Sequence, residues 1–175
     1  MNKHLQKVSE IILDNLSNES QKFSGKSVLL TGAGGFLGSN ICSFFYYLNS
    51  LDILDKPVEL FAYDKFIHKK EDWVNQYNKS TLINFYEEDI LSIKEFPKCD
   101  YIIHAASIAS PIFYRKYPLE TIDSNVIGLR KLLDLSLEFN PEGILFFSTS
   151  EIYGNPNPDN IPTKETYFGN VNSFG

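Results

Sequence analysis

Ser27-Val28-Leu29-Leu30-Thr31-Gly32-Ala33-Gly34-Gly35-Phe36-Leu37-Gly38 is the stretch whose reading decides how this chain folds. Ser27 to Leu30 is short, apolar and partly β-branched, the composition of a buried strand. Glycines follow at 32, 35 and 38, and the apolar run from Ile41 to Leu48 predicts a helix. A strand that turns through glycines into a helix makes an anion site. Missing side chains let backbone approach a pyrophosphate, and the helix N-terminus aims free N–H groups and positive dipole at it. The spacing is G-x-x-G-x-x-G, because Leu37 stands where G-x-G-x-x-G would need a glycine. An ordinary glycine-rich turn is the alternative, disfavoured by the strand before and the helix after.

Outward from this turn, strand patterns recur at 58–63, 82–86, 101–104 and 144–148. Helical patterns lie between them at about 37–50, 69–79 and 120–139. In the last, Ile122, Val126, Leu129, Leu132, Leu133 and Leu137 form one apolar face, and Pro141 and Gly143 stop the helix. Such alternation predicts an α/β fold, a parallel sheet with right-handed crossovers and helices on both faces. Ahead of the first strand, Leu5, Val8, Ile11, Ile12 and Leu16 recur at helical spacing. They predict an amphipathic helix over about 3–17 that packs on the domain edge. Residues 1–24 thus read as helix and linker, and 25–175 as one domain. Asn155 to Pro162 reads as a loop.

The bulk numbers exclude several classes. A chain of 175 residues makes one domain or slightly more, and 43% hydrophobic residues suit a packed core. A net charge of -6 with no basic stripe argues against nucleic acid as a partner. Lys69-Lys70 and Arg115-Lys116 read as solvated pairs. No apolar run approaches the length of a membrane span, and no secretory signal opens the chain, so no membrane partner is expected. Cys42 and Cys99 lack zinc spacing, so no metal is expected. Unpaired cysteines fit a reducing cytoplasm, and Cys42 reads as a small buried hydrophobe.

More residues gather at the predicted carboxyl ends of the strands, where ligands sit in open α/β sheets. Asp64 ends the second strand, where an acid normally holds the adenosine ribose of NAD and repels the 2′-phosphate of NADP. Asp89 and Ile90 follow the third strand, within reach of an adenine edge. His104-Ala105-Ala106-Ser107 ends the fourth strand with small residues that let backbone pass near a cofactor. His104 itself reads as a core histidine, with catalysis as the alternative. Ser148-Thr149-Ser150-Glu151 ends the fifth strand with side chains placed for chemistry.

With these motifs in hand, the chain resembles the extended short-chain dehydrogenase/reductases, the NAD-dependent nucleotide-sugar epimerases, dehydratases and decarboxylases. TGAGGFLG at 31–38, DI at 89–90, HAAS at 104–107, Asn125 and STSEIYG at 148–154 carry the resemblance. Within that family, residues 104–125 and 165–175 are most similar to UDP-glucuronate decarboxylases. The resemblance implies a Rossmann-type, doubly wound sheet. It implies an NAD site of Gly32, Gly35, Phe36, Leu37, Gly38, Asp64, Lys65, Asp89, Ile90, Ala105, Ala106, Ser107 and Asn125, and a catalytic group of Thr149, Ser150 and Glu151. It also implies a UDP-sugar substrate and a homodimer of the complete protein.

The implied chemistry oxidises C4 of the sugar, and a C5 carboxylate then leaves as CO₂ from a β-keto acid. Thr149 matches the hydroxyl that holds the C4 oxygen, and Glu151 an active-site acid/base. Ser150 stands where dTDP-glucose 4,6-dehydratases carry an aspartic acid, which favours decarboxylation; a 4-epimerase or dehydratase is the runner-up. One departure is large. The family's Tyr-x-x-x-Lys is absent, since Asn157, Val171 and Pro118 stand four positions after Tyr153, Tyr167 and Tyr114. The sequence therefore reads as the amino-terminal half of an enzyme, truncated before the last strands and the substrate domain. The rival reading is an NAD-binding module that does no chemistry.

Overall fold

The structure, a computed structural model, describes residues 3–66, 77 and 82–171. Five strands, β1 (Ser27–Thr31), β2 (Glu59–Asp64), β3 (Ile83–Glu87), β4 (Tyr101–His104) and β5 (Gly143–Phe146), form one sheet in the order β3-β2-β1-β4-β5. Every pair is parallel; Val28 lies opposite Leu60 on one side and Tyr101 on the other. The chain winds outward from β1 in one direction and from β4 in the other. The crevice between their carboxyl ends is therefore the switch point at which such sheets bind ligands.

Four α-helices have described bounds: α1 (Lys3–Leu16), α2 (Phe36–Ser50), α3 (Pro111–Lys116) and α4 (Pro118–Phe139). Strand side chains alternate between two cores. Val28, Leu30, Leu60 and Ala62 pack with Cys42, Phe44, Phe45 and Leu48 of α2, so Cys42 is buried as expected. Leu29, Tyr63 and Ile102 pack on the opposite face with Leu132 of α4. α1 joins the first core through Ile12, Leu13 and Leu16. Its inner face differs from the predicted one. Ile11 is exposed, and Ser9 is buried because its hydroxyl donates to the Leu5 carbonyl at 2.8 Å, which removes its need for water.

α4 is rotated relative to its predicted face. Of the expected stripe only Leu132 is buried, while Ile122, Val126, Leu133 and Leu137 are exposed. The helix carries two apolar stripes, and the sheet takes the one containing Gly128. A Cβ at Gly128 would stand 3.2 Å from the Ile90 side chain, so glycine is what lets α4 lie this close to the loop after β3. Asn140, in the left-handed conformation with φ 52°, ends α4. The sequence pattern did not predict α3, and it placed the end of β5 at Ser148 rather than Phe146. The predicted helix over 69–79 lies, apart from Tyr77, outside the described residues.

At the amino ends of the strands, Asp100 accepts the N–H and the hydroxyl of Ser27, both at 2.8 Å. Glu142 accepts the Tyr101 hydroxyl at 2.7 Å and pairs with Lys26. These contacts tie β1, β4 and β5 together opposite the candidate site.

Candidate active site

The glycine turn begins with Gly32 at φ 77°, a conformation that favours glycine. The N–H groups of Gly32 and Ala33 donate to the Tyr63 carbonyl at 2.8 and 3.1 Å, which fixes the turn to β2. The glycines serve different ends. A Cβ at Gly32 would stand 2.5 Å from the Ala105 carbonyl, so Ala105 and Ala106 press directly on it. A Cβ at Gly38 would run into the Gly32 carbonyl oxygen. Both positions are spent on packing. Gly34 is spent on the Phe66 ring, 2.8 Å from its would-be Cβ. Gly35 is different: its Cβ would meet only the Gly32 oxygen, at 3.2 Å, and otherwise opens on free space.

Gly35 is also the N-cap of α2 and supplies no side-chain cap. The first N–H groups of the helix, on Phe36, Leu37 and Gly38, have no acceptor within it. The Phe36 side chain is 84% exposed and Leu37 is exposed beside it. An open backbone cradle facing uncapped donors fits a pyrophosphate.

Asp64 lies against this turn. One carboxylate oxygen accepts the Gly34 N–H at 2.9 Å and the other accepts the Phe66 N–H at 2.6 Å. Each oxygen keeps a lone pair for a ribose hydroxyl. Phe66, at φ 44°, turns the chain sharply to give that second bond.

Lys65 points to the next strand end, where its ammonium meets Asp89 at 2.7 Å. Partial burial works against the Asp89 charge, yet Lys65, the Leu91 N–H at 3.0 Å and nearby Lys131 outweigh it and hold the carboxyl below its usual range. Lys131, on α4, donates to the carbonyls of Ile90, Leu91 and Ile93 at 3.1, 2.9 and 2.7 Å. Three backbone acceptors around one ammonium clamp the loop that carries Asp89. Ile90 is buried in the core, with its carbonyl held by Lys131. Asn125 donates to the Ser107 hydroxyl at 3.0 Å and to the Thr121 carbonyl at 2.7 Å, which joins α4 to the loop after β4.

Between the glycine turn and α4 lies His104, fully buried. Its Nδ1 shares a hydrogen bond with the Thr31 hydroxyl at 2.7 Å, and its ring stacks on Phe146. Nε2 makes no hydrogen bond. Burial pushes the imidazole below its ordinary range, and the Ser124 carbonyl only partly opposes this. His104 is thus a core histidine with one satisfied nitrogen.

Thr149, Ser150 and Glu151 follow β5 and are exposed. The Thr149 hydroxyl accepts the Glu151 N–H at 3.2 Å and caps the 3-10 turn Ser150–Tyr153. The chain then returns, with Asn170 bridging to Gly154. In strand order the trio lies one strand beyond β4 and two beyond β1, on the same end of the sheet as the glycine turn. Sequence reasoning brought out the glycine turn, Asp64, Asp89 and the residues after β4. It missed Lys131, whose only local signal is a lysine beside the inward positions Gly128 and Leu132. Among the described residues, no helix is long and apolar enough to cross a membrane, and no cluster of His, Cys, Asp and Glu could hold a metal.

The profile of the NAD dependent epimerase/dehydratase family matches residues 28–174. UDP-glucuronic acid decarboxylase 6 of Arabidopsis thaliana is 32% identical over 152 residues, which are 87% of this chain and 41% of that protein. A UDP-N-acetylglucosamine 4-epimerase of Methanobrevibacter ruminantium M1, solved with UDP-N-acetylmuramic acid, superposes with a TM-score of 0.65 at 25% identity, over 83% of this chain and 44% of that one. A UDP-glucuronic acid 4-epimerase of Bacillus cereus in complex with NAD shares the fold, with a TM-score of 0.55 at 23% identity over 75% of this chain and 42% of that one. The chain spans less than half the length of these relatives. A doubly wound parallel sheet, a glycine turn with an acid at the next strand end, and a profile match across nearly the whole chain agree: the chain belongs to the NAD dependent epimerase/dehydratase family.

Proposed function

We propose that this chain holds NAD, and that the protein carrying it decarboxylates UDP-glucuronate through a 4-keto intermediate. The open side of Gly35, facing the uncapped start of α2 with Asp64 fixed at its rim, carries the cofactor part. The likeness to UDP-glucuronic acid decarboxylases and the loop at 107–117 support the reaction; Ser150 sets the chain apart from dTDP-glucose 4,6-dehydratases, though not from GDP-mannose dehydratases, which also carry Thr-Ser-Glu. Residues 25–175 act as the NAD-binding domain, and residues 1–24 as an edge helix and linker.

Bound NAD supplies the redox couple for hydride leaving, and then returning to, C4 of the sugar. The residues of this chain bind and orient. Backbone N–H groups of Phe36, Leu37 and Gly38 take the pyrophosphate, and Asp64 takes the ribose hydroxyls. Asp89 and the Ile90 backbone meet the adenine edge, and Ala105, Ala106, Ser107 and Asn125 line the cofactor's path. The Thr149 hydroxyl, which accepts the Glu151 N–H, keeps its proton to donate to the C4 oxygen. Glu151 moves protons at the sugar ring. Ser150 is far too weak an acid to protonate a leaving hydroxyl. Abstraction of the C4 hydroxyl proton falls to a Tyr-x-x-x-Lys pair in the length that the relatives have and this chain does not span.

A 4-epimerase or 4,6-dehydratase is the second reading, supported by the 4-epimerase neighbours. A non-catalytic NAD-binding module is the reading from another class, supported by the missing pair. The exposed apolar stripe of α4 supports a homodimer of the complete protein. The free, buried thiols of Cys42 and Cys99 support a reducing cytoplasm.

The test is CO₂ release from UDP-glucuronate with NAD⁺. The 175-residue chain alone should give none, and a longer protein carrying Tyr-x-x-x-Lys should release CO₂ and form UDP-xylose or its 4-keto precursor. Turnover by the short chain, lost in Thr149→Ala, would show that the pair is dispensable. Epimerised UDP-sugar without CO₂ from the longer protein would favour the second reading.

A further inference from the structure

Lys65 stands in an unexpected position. It directly follows Asp64, the acid assigned to the adenosine ribose, and a cation at that edge is the natural ligand of a 2′-phosphate. Left free, it would offset the discrimination that Asp64 provides. Its ammonium is instead engaged 2.7 Å from Asp89, at the end of the neighbouring strand. We infer that Asp89 is a specificity-determining residue: it holds Lys65 away from the ribose edge, so that the site prefers NAD(H) over NADP(H).

Of the two partners, Asp89 is the anchored one. Its second oxygen accepts the Leu91 N–H at 3.0 Å, and its loop is clamped by the three carbonyl bonds to Lys131. Its side chain is 28% exposed against 56% for Lys65. The flexible ammonium therefore comes to the fixed carboxylate. Asp64 is committed elsewhere: its two oxygens accept the Gly34 and Phe66 N–H groups, and the lone pairs left over are those assigned to the ribose hydroxyls. The local charge is then one carboxylate, Asp64, beside a neutralised pair, and that balance disfavours two extra negative charges on the ribose. The inference rests on the NAD reading above.

The experiment is calorimetric titration of the full chain with NAD⁺ and with NADP⁺, at low and high salt. Asp89→Asn keeps an acceptor for Leu91 but releases Lys65. It should improve NADP⁺ relative to NAD⁺ by about three- to fivefold at low salt, the size of one partly exposed ion pair, with the gain shrinking as salt rises. The gain should vanish in the double variant Asp89→Asn with Lys65→Met, which a merely structural role for Asp89 would not produce. Lys65→Met alone should leave the ratio of NADP⁺ to NAD⁺ affinity within about twofold of wild type, since the ammonium it removes is already held by Asp89 and not by the ribose edge. An unchanged ratio in Asp89→Asn, a gain that survives in the double variant, or a ratio shifted more than about twofold in Lys65→Met would overturn the inference while the NAD reading stands. If wild type binds neither dinucleotide, the NAD reading fails and this inference fails with it.

Discussion

The half of the sheet built on β1 and β2 and the half that ends in β5 contain equally apolar sequence but bury it very differently. Val28, Leu29, Leu30, Leu60 and Ala62 are all fully buried beneath α1, α2 and α4. Ile144, Leu145 and Phe146 of β5 are exposed, Leu145 to 51%. The outer stripe of α4 is exposed as well. Apolar content therefore marks what a segment can bury, while the neighbours this chain supplies decide what it does bury. The glycine turn belongs to the well-packed half, which explains how a backbone cradle keeps its shape. Thr149, Ser150 and Glu151 belong to the other half, where they are exposed and few of the described residues hold them.

Core truncation gives the largest expected contrast. Leu30→Ala should cost about 2–5 kcal/mol, the range for a fully buried leucine, and Leu145→Ala less than about 1 kcal/mol. Chemical denaturation of both variants checks this. If the two cost the same, β5 is covered in solution, and sedimentation velocity would then show association along its open edge.

A smaller effect probes the seam between the halves, where Thr31 of β1 meets His104 of β4. The folded state holds the His104 imidazole below its ordinary value, so the unfolded chain binds the proton more readily. That contribution is complete above about pH 6.5 and is lost as pH falls below it. Asp89 and Asp100, held low, lose theirs only nearer about pH 4. Stability should therefore begin to fall as pH drops below about 6.5, before the carboxylates respond, and the slope there should flatten in His104→Gln. An identical slope in the variant would mean that His104 is not the group responsible.

Much of this was legible in the sequence, for physical reasons that also explain the misses. Each strand is a short apolar run between turn residues, and the glycine turn is a local pattern, so both could be read along the chain. α3 was hidden because Pro111 and Pro118 look like breakers, whereas each sits at the first position of a helix, where proline is tolerated. The face of α4 was misjudged because its outward stripe is the more apolar, and the inward one depends on Gly128, whose value lies in what it lets approach. The pairing of Lys65 with Asp89 and the clamp of Lys131 on the same loop join residues far apart in sequence, with no spacing to betray them. Asp64 was readable because its place at a strand end defines its neighbours.

The proposed NAD site turns on the open side of Gly35, and one titration tests it most directly. The chain and its Gly35→Val variant are each titrated with NAD(H) and NADP(H), and their thermal melts are compared. Wild type should bind NAD(H) in preference. Gly35→Val should bind neither while staying folded, since φ at Gly35 is -75° and, past one tight contact of its Cβ with the Gly32 oxygen at 3.2 Å, the new side chain enters open space. Binding by Gly35→Val as tight as wild type would contradict the account, and so would wild type taking NADP(H) as well as NAD(H).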